Sequence, residues 1–192
     1  MYEVFFRKFN EKVQLTESEM NFIKQYLTPK KLRKRQYLHQ EGDICKNVAF
    51  IEKGLMRSYV VDSDGQEHIM AFALEGWTMG DLYSFLSEQI SSQNIDALED
   101  CELVLFSKSA HDELLSTMPK YETYFRILMT DAYMALQKRT LNIISLSLDD
   151  RYMFFIEQFP NIVQRVPQHM IASHMGLSAE TLSRIRNRIN KK

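Results

Sequence analysis

Over residues 16–27 the apolar positions follow a helical rhythm. Met20, Ile23 and Leu27 form one stripe over residues 16–27, Thr16 stands where a cap is needed, and Glu19 completes a capping box three residues on. From about residue 36 to 106 the period shortens. Runs such as QYLHQ, VAFIE, LMRSYVV, EHIMAFA, NIDAL and CELVLF read as short strands, punctuated by Gly42, Gly54, Gly65 and Gly76 at spacings of 12, 11 and 11. Regular turns between short alternating strands predict a small barrel, roll or sandwich, with Ser63-Asp64-Gly65 at a hairpin tip.

After Phe106 the helical period returns. Ser109–Met118 predicts a short helix, and Pro119 suits the first turn of a longer one reaching about Leu146. Tyr121, Phe125, Leu128, Ala132, Leu136 and Ile143 lie near one face of that helix, which is long for a globular domain and suits a dimer seam. A further helix, Asp149–Phe159, ends before Pro160.

The most specific pattern lies at residues 167–189, PQHMIASHMGLSAETLSRIRNRI. Pro167 opens a helix running to Met175, Gly176 supplies a sharp left-handed turn, and Ser178 caps a second helix. Ile171, Met175, Leu177, Leu182 and Ile185 have the spacing to fill a small core between two crossed helices, and Ala172 is small where they approach. That is the pattern of a DNA-binding helix-turn-helix.

Charge strengthens the case. The formal net charge is −1, but residues 58–107 carry ten acidic side chains and no Lys or Arg, while residues 165–192 carry six basic side chains against one acidic. A basic end on a near-neutral chain suits an anionic partner held there. On the second helix Ala179, Glu180, Ser183, Arg184 and Arg188 fall on the side away from Leu182 and Ile185. Arg184 can donate two hydrogen bonds to guanine, and Glu180 can accept one from cytosine. Arg186, Arg188, Lys191 and Lys192 suit phosphates, which supply affinity without sequence information.

Residues 167–189 resemble the helix-turn-helix of the Crp/Fnr superfamily, whose recognition helix often reads Ser-x-Glu-Thr-x-Ser-Arg; Ser178, Glu180, Thr181, Ser183 and Arg184 stand in those places. Upstream, Gln40-Glu41-Gly42-Asp43, Phe50-Ile51-Glu52-Lys53-Gly54 and Gly80-Asp81-Leu82 are similar to signatures of that family's cyclic-nucleotide-binding-like β-roll. The resemblance implies an α+β chain with three parts. A double-stranded β-roll (a cupin-like jelly roll) occupies residues 1–117, a dimerisation helix 118–146, and a reduced-wing helix-turn-helix domain 147–192. It implies double-stranded DNA, a second copy of the chain and RNA polymerase as partners. DNA contacts fall to Ser178, Ala179, Glu180, Ser183, Arg184, Arg188 and Lys191.

Two departures qualify this picture. Where members that bind cyclic AMP carry an Arg-Ser or Arg-Thr clamp, this chain has Ser91-Ser92, in a segment with no cation. Gly80, Asp81, Leu82, Ser91 and Ser92 therefore outline a pocket for an unidentified small-molecule effector other than cyclic AMP, unless Arg126 or Lys138 supplies the charge. Residues 160–165 also leave little room for a β-hairpin wing.

Other chemistries find little support. His39 and His68 are too far apart in sequence for the facial triad of a cupin-like oxygenase, and the four cysteines of an iron–sulfur cluster are missing, since only Cys45 and Cys101 occur. There is no phosphate-binding glycine loop and no nucleophile elbow. No run approaches the roughly 18 to 20 apolar residues of a membrane span, and the charged N-terminus is no signal peptide. A non-enzymatic, cytoplasmic regulator without a cofactor or membrane partner is expected. The rival is a small-molecule sensor acting through protein contacts. His169 and His174 are expected at the surface near the DNA backbone.

Overall fold

The computed structural model describes residues 2–189. The chain divides into two compact units: one holds the chain up to Val60 together with Ala71–Leu128, the other Val61–Met70 together with the chain from Met129 onward.

The first unit opens with α1 (Glu3–Lys12) and α2 (Glu17–Lys24). The expected capping box at Thr16 and Glu19 is present. The helix ends earlier than the apolar stripe suggests, because Leu27 begins a strand. Helix α1 has no side-chain cap of its own. Instead Glu52 accepts from the backbone N–H groups of Val4 and Phe5, at 3.2 and 2.8 Å, and satisfies two of the donors a helix start leaves open.

Eight strands follow: β1 (Leu27–Leu32), β2 (Tyr37–His39), β3 (Asn47–Lys53), β4 (Met56–Val61), β5 (Glu67–Ala73), β6 (Thr78–Met79), β7 (Asn94–Ala97) and β8 (Cys101–Ser107). They form two four-stranded sheets, ordered β1-β8-β3-β6 and β2-β7-β4-β5. The register places Leu32 opposite Cys101, Ala49 opposite Leu105, and Met56 opposite Ala97. Alternation then gives the two central strands of the first sheet, β3 and β8, two apolar faces. Ala49, Ile51, Leu103 and Leu105 join Met56, Ile95 and Ala97 in one core. Phe50, Val104 and Phe106 face Phe5, Phe9, Ile23, Leu114 and Tyr121 in another. Phe9 stacks on Tyr124 at 3.9 Å between ring centroids.

Helix α3 (Leu82–Ser87) interrupts the strands, and α4 (Lys108–Thr117), capped by Ser107, follows them. The long α5 (Pro119–Ser145) begins at Pro119 as expected. Its first turns pack on the roll: Tyr121 and Tyr124 are buried, Leu128 packs on the same core, and Phe125 lies against His111 at 4.5 Å. Phe125 and Leu128, expected on a dimer seam, are thus turned toward their own unit. The later residues Tyr133, Met134, Leu136, Leu141, Ile143 and Ile144 are exposed.

The second unit contains the rest of α5, the hairpin tip between β4 and β5, and four short helices. These are α6 (Leu148–Gln158), α7 (Pro160–Arg165), α8 (Gln168–His174) and α9 (Ala179–Ile189). Where a wing would begin, residues 160–165 form α7. Pro160 presets that helix at its first position, where a missing N–H costs nothing. Among the described residues no strand lies between α6 and α9, and none of the helices is long and apolar enough to cross a membrane.

Candidate nucleic-acid interface

The turn between α8 and α9 follows from two residues. Gly176 has φ +72°, in the left-handed region that a side chain disfavours. Around it Leu177 N–H donates to Ala172 carbonyl oxygen at 2.9 Å, the long bond that closes a helix C-terminus. Ser178 Oγ then accepts from Thr181 N–H at 3.1 Å and starts α9.

Packing sorts the residues of α9 into two sets. Leu182 and Ile185 are buried, as are Ile171, Ala172 and Met175 of the preceding helix and its end, all within a tenth of full burial. Ala179, Glu180, Ser183, Arg184, Arg186 and Arg188 are exposed. This division agrees with the one expected from spacing. Glu180 and Arg184 are one turn apart, with carboxylate and guanidinium 3.9 Å from each other, so a donor and an acceptor are presented side by side. Lys191 lies outside the described residues.

Two residues behave differently from expectation. Arg188 does not stand alone: its guanidinium donates to both carboxylate oxygens of Asp149 at the start of α6, with Nε to Oδ2 at 3.2 Å. Asp149 holds the Arg188 pKa above its ordinary value. His174, expected at the surface, is turned into the unit against Phe155, at 5.6 Å between rings. Burial, reinforced by the Arg139 cation, pushes its pKa down to about 4. The helical period explains the difference: His174 sits one turn on from the buried Ile171 and so shares its inward side. His169 remains exposed.

The same unit contains contacts that spacing could not reveal. Ser173 Oγ donates to Glu67 carbonyl oxygen at 2.9 Å and accepts from Ile69 N–H at 3.0 Å. Arg139 donates to Met70 carbonyl oxygen at 2.9 Å and to that of His174 at 3.4 Å. Arg151 supports the end of α8 by donating to Met175 carbonyl oxygen at 3.0 Å.

In the first unit, the expected effector residues separate into an inner and an outer group. Asp81 is buried; one carboxylate oxygen accepts from Ser84 N–H at 3.2 Å to cap α3, and the other accepts from Ser91 Oγ at 2.7 Å. Ser91 is therefore engaged with the acid. Gly80 runs close to β3, where an added Cβ would lie 3.0 Å from Val48 Cγ2. Ser92 is exposed, and so is Leu82. Beside this group the Nε2 of His39 is enclosed, and burial lowers its pKa despite Asp81 and Asp43.

A buried cation stands a single residue before the acidic segment. Arg57 is buried on β4 and bonds Asp96 of β7 through two parallel contacts, at 2.8 and 3.1 Å. It also lies over Tyr59, whose hydroxyl is 3.0 Å from that of Tyr37. The antiparallel register, with Arg57 directly opposite Asp96, makes the pair. Such a paired cation is stabilised as a unit.

Comparison with known proteins is consistent with this geometry. Residues 29–118 match the model of the cyclic nucleotide-binding domain family. Electron transport regulator A of Shewanella oneidensis is 26% identical over 190 residues, covering 92% of this chain and 75% of that protein. The fumarate and nitrate reduction regulatory protein of Vibrio cholerae is 26% identical over 192 residues, with the same shares, 92% and 75%. Among solved structures, a transcriptional regulator of the crp/fnr family from Eubacterium rectale superposes with a TM-score of 0.71 at 19% identity. That match covers 98% of this chain and 88% of the other.

Proposed function

We propose that the chain is a DNA-binding transcription regulator of the Crp/Fnr family, to whose members it is similar in sequence and fold, and that it binds a palindromic operator as a homodimer, with Glu180 and Arg184 reading bases in the major groove. The observation that carries this reading is the sorting of α9: Leu182 and Ile185 are buried while Glu180, Ser183 and Arg184 are exposed. A helix anchored on one side and polar on the other can enter the groove with its N-terminal residues at base edges. Ala179 and Ser178 lie at the same end, and Arg188 and Lys191 are assigned to phosphates.

Three functional parts are proposed: residues 1–117 as the roll, 118–146 as the dimerisation helix, and 147–192 as the DNA-binding domain. The seam is assigned to the later turns of α5, where Leu136 and Ile143 are exposed. The protein is proposed to act in the cytoplasm, with RNA polymerase as a further partner and without an enzymatic activity.

The roll is proposed to respond to something other than cyclic AMP. Ser91, in the place of the clamp arginine, is bonded to Asp81, and Arg57, just before the acidic segment, is paired with Asp96. A cyclic phosphate entering beside Asp81 would meet like charge. Calorimetry should find cyclic AMP and cyclic GMP binding no tighter than roughly millimolar; micromolar binding would overturn this part of the reading.

Sedimentation tests the dimer. Leu136→Asp should split it, since a carboxylate buried in an apolar seam costs several kcal/mol, and the variant should lose operator binding while keeping its fold. An unchanged dimer mass would place the interface elsewhere.

A further inference from the structure

The β4–β5 hairpin tip belongs to the same compact unit as the helix-turn-helix. Strand β5 is an edge of its sheet, so its outer row of N–H and carbonyl groups has no neighbouring strand. Ser173, on the first helix of the motif, supplies both kinds of partner to that edge: its hydroxyl donates to Glu67 and accepts from Ile69. Arg139 fastens the next residue by donating to Met70 carbonyl oxygen, and with its other nitrogen holds His174 carbonyl oxygen at the end of the same helix. Ile69 is buried under these contacts.

The tip itself is acidic. Asp62, Asp64 and Glu67 are exposed, and the segment 61–70 contains no Lys or Arg. Its turn is well made: Asp62 accepts from Asp64 N–H and Gln66 N–H, both at 2.9 Å, and from His68 at 2.6 Å. A rigid, acidic loop is thus bonded to the helix that, in a helix-turn-helix, crosses the phosphate backbone. Carboxylates there oppose the approach of phosphates.

We propose that this hairpin is an autoinhibitory clip, in which Ser173 and Arg139 hold acidic residues 62–67 against α8 and DNA binding requires their release. The proposal rests on DNA binding through α8 and α9. Because the hairpin continues directly into β4 and β5, a change in that sheet has a covalent route to the clip.

The test uses the full chain. Ser173→Ala removes both hydroxyl bonds and should raise affinity for duplex DNA by about tenfold, the gain expected when a competent form held to about a tenth of the population becomes the main one. Hydrogen exchange at the Ile69 amide should accelerate in the variant, while Leu182 and Ile185 amides in α9 stay protected. Neutralising the tip with Asp64→Asn and Glu67→Gln should raise affinity in the wild-type background and much less when Ser173→Ala is already present. Arg139→Gln supplies an independent release if Ser173→Ala does not fold. Faster Ile69 exchange with unchanged or weaker DNA binding would overturn the clip, as would an equal charge effect in both backgrounds. Absence of DNA binding in every variant, wild type included, would overturn the DNA reading and the clip with it.

Discussion

Arg188 and Asp149 join the last turn of α9 to the first turn of α6, with the guanidinium donating to both carboxylate oxygens. Each charge sits at the helix end whose dipole favours it, the cation at a C-terminus and the anion at an N-terminus. The pair lies at the surface, where an ion pair adds little to folding. On the proposed phosphate role of Arg188 the pair bears more on DNA binding, because an arginine tied to a carboxylate is only partly available to phosphate.

Asp149→Asn should therefore cost little stability and strengthen binding to all duplex sequences alike. The dependence of affinity on salt should steepen by up to about one unit, as Arg188 becomes free to displace a counterion. Titrations at several salt concentrations would show it. An unchanged slope would remove Arg188 from the phosphate contacts.

Arg184→Ala should weaken operator binding by about 1–3 kcal/mol and relax preference mainly at one base pair per half-site. Affinities for single-base operator variants separate this from a phosphate role. If every variant weakened equally, Arg184 would be a backbone contact and Glu180 the remaining reader.

Gly176→Ala isolates the turn. No atom lies within 4 Å of where the Cβ would stand, so the cost is conformational, roughly 1–2 kcal/mol for a side chain at this left-handed φ. Denaturant unfolding should show that loss with an unchanged slope. A loss of 4 kcal/mol or more, in the range of a core defect, would point to packing instead.

His174 makes the second unit sensitive to acid. Its pKa falls from 6.5 to about 4 in the folded chain, chiefly through burial. The unfolded chain thus binds more protons between those values. The stability this neutral histidine contributes is full above pH 6.5 and is lost as pH falls toward 4, by up to about 3 kcal/mol. Thermal unfolding of wild type and His174→Phe across this window should diverge in slope, with the variant the flatter. Parallel profiles would contradict the assignment.

Local chemistry made much of this legible in the sequence. The capping box at Thr16, the tip at Gly65, the turn at Gly176 and the two faces of α9 each depend on residues a few positions apart. Helix α1 carries a stripe at Phe5, Phe6 and Phe9 but no side-chain cap of its own, and the Glu52 that holds its start comes from a strand far along the chain. Strand β1 was hidden by Lys30, Lys31 and Pro29, residues an edge strand tolerates. The long-range pairs could not be read at all. Arg57 meets Asp96 through strand register, Asp149 meets Arg188 through helix packing, and Ser173 meets β5 through backbone groups that every residue carries.

Selection of bound sequences from random duplex DNA, run with wild type and Arg184→Ala, tests the central claim most directly. The wild type should yield a two-fold symmetric sequence whose half-sites lie about one helical turn apart, since a symmetric dimer places both recognition helices on one face of the duplex. The variant should retain the spacing and lose one specified base pair in each half. Enrichment of no common sequence by the wild type, or of an unsymmetrical one, would contradict the account.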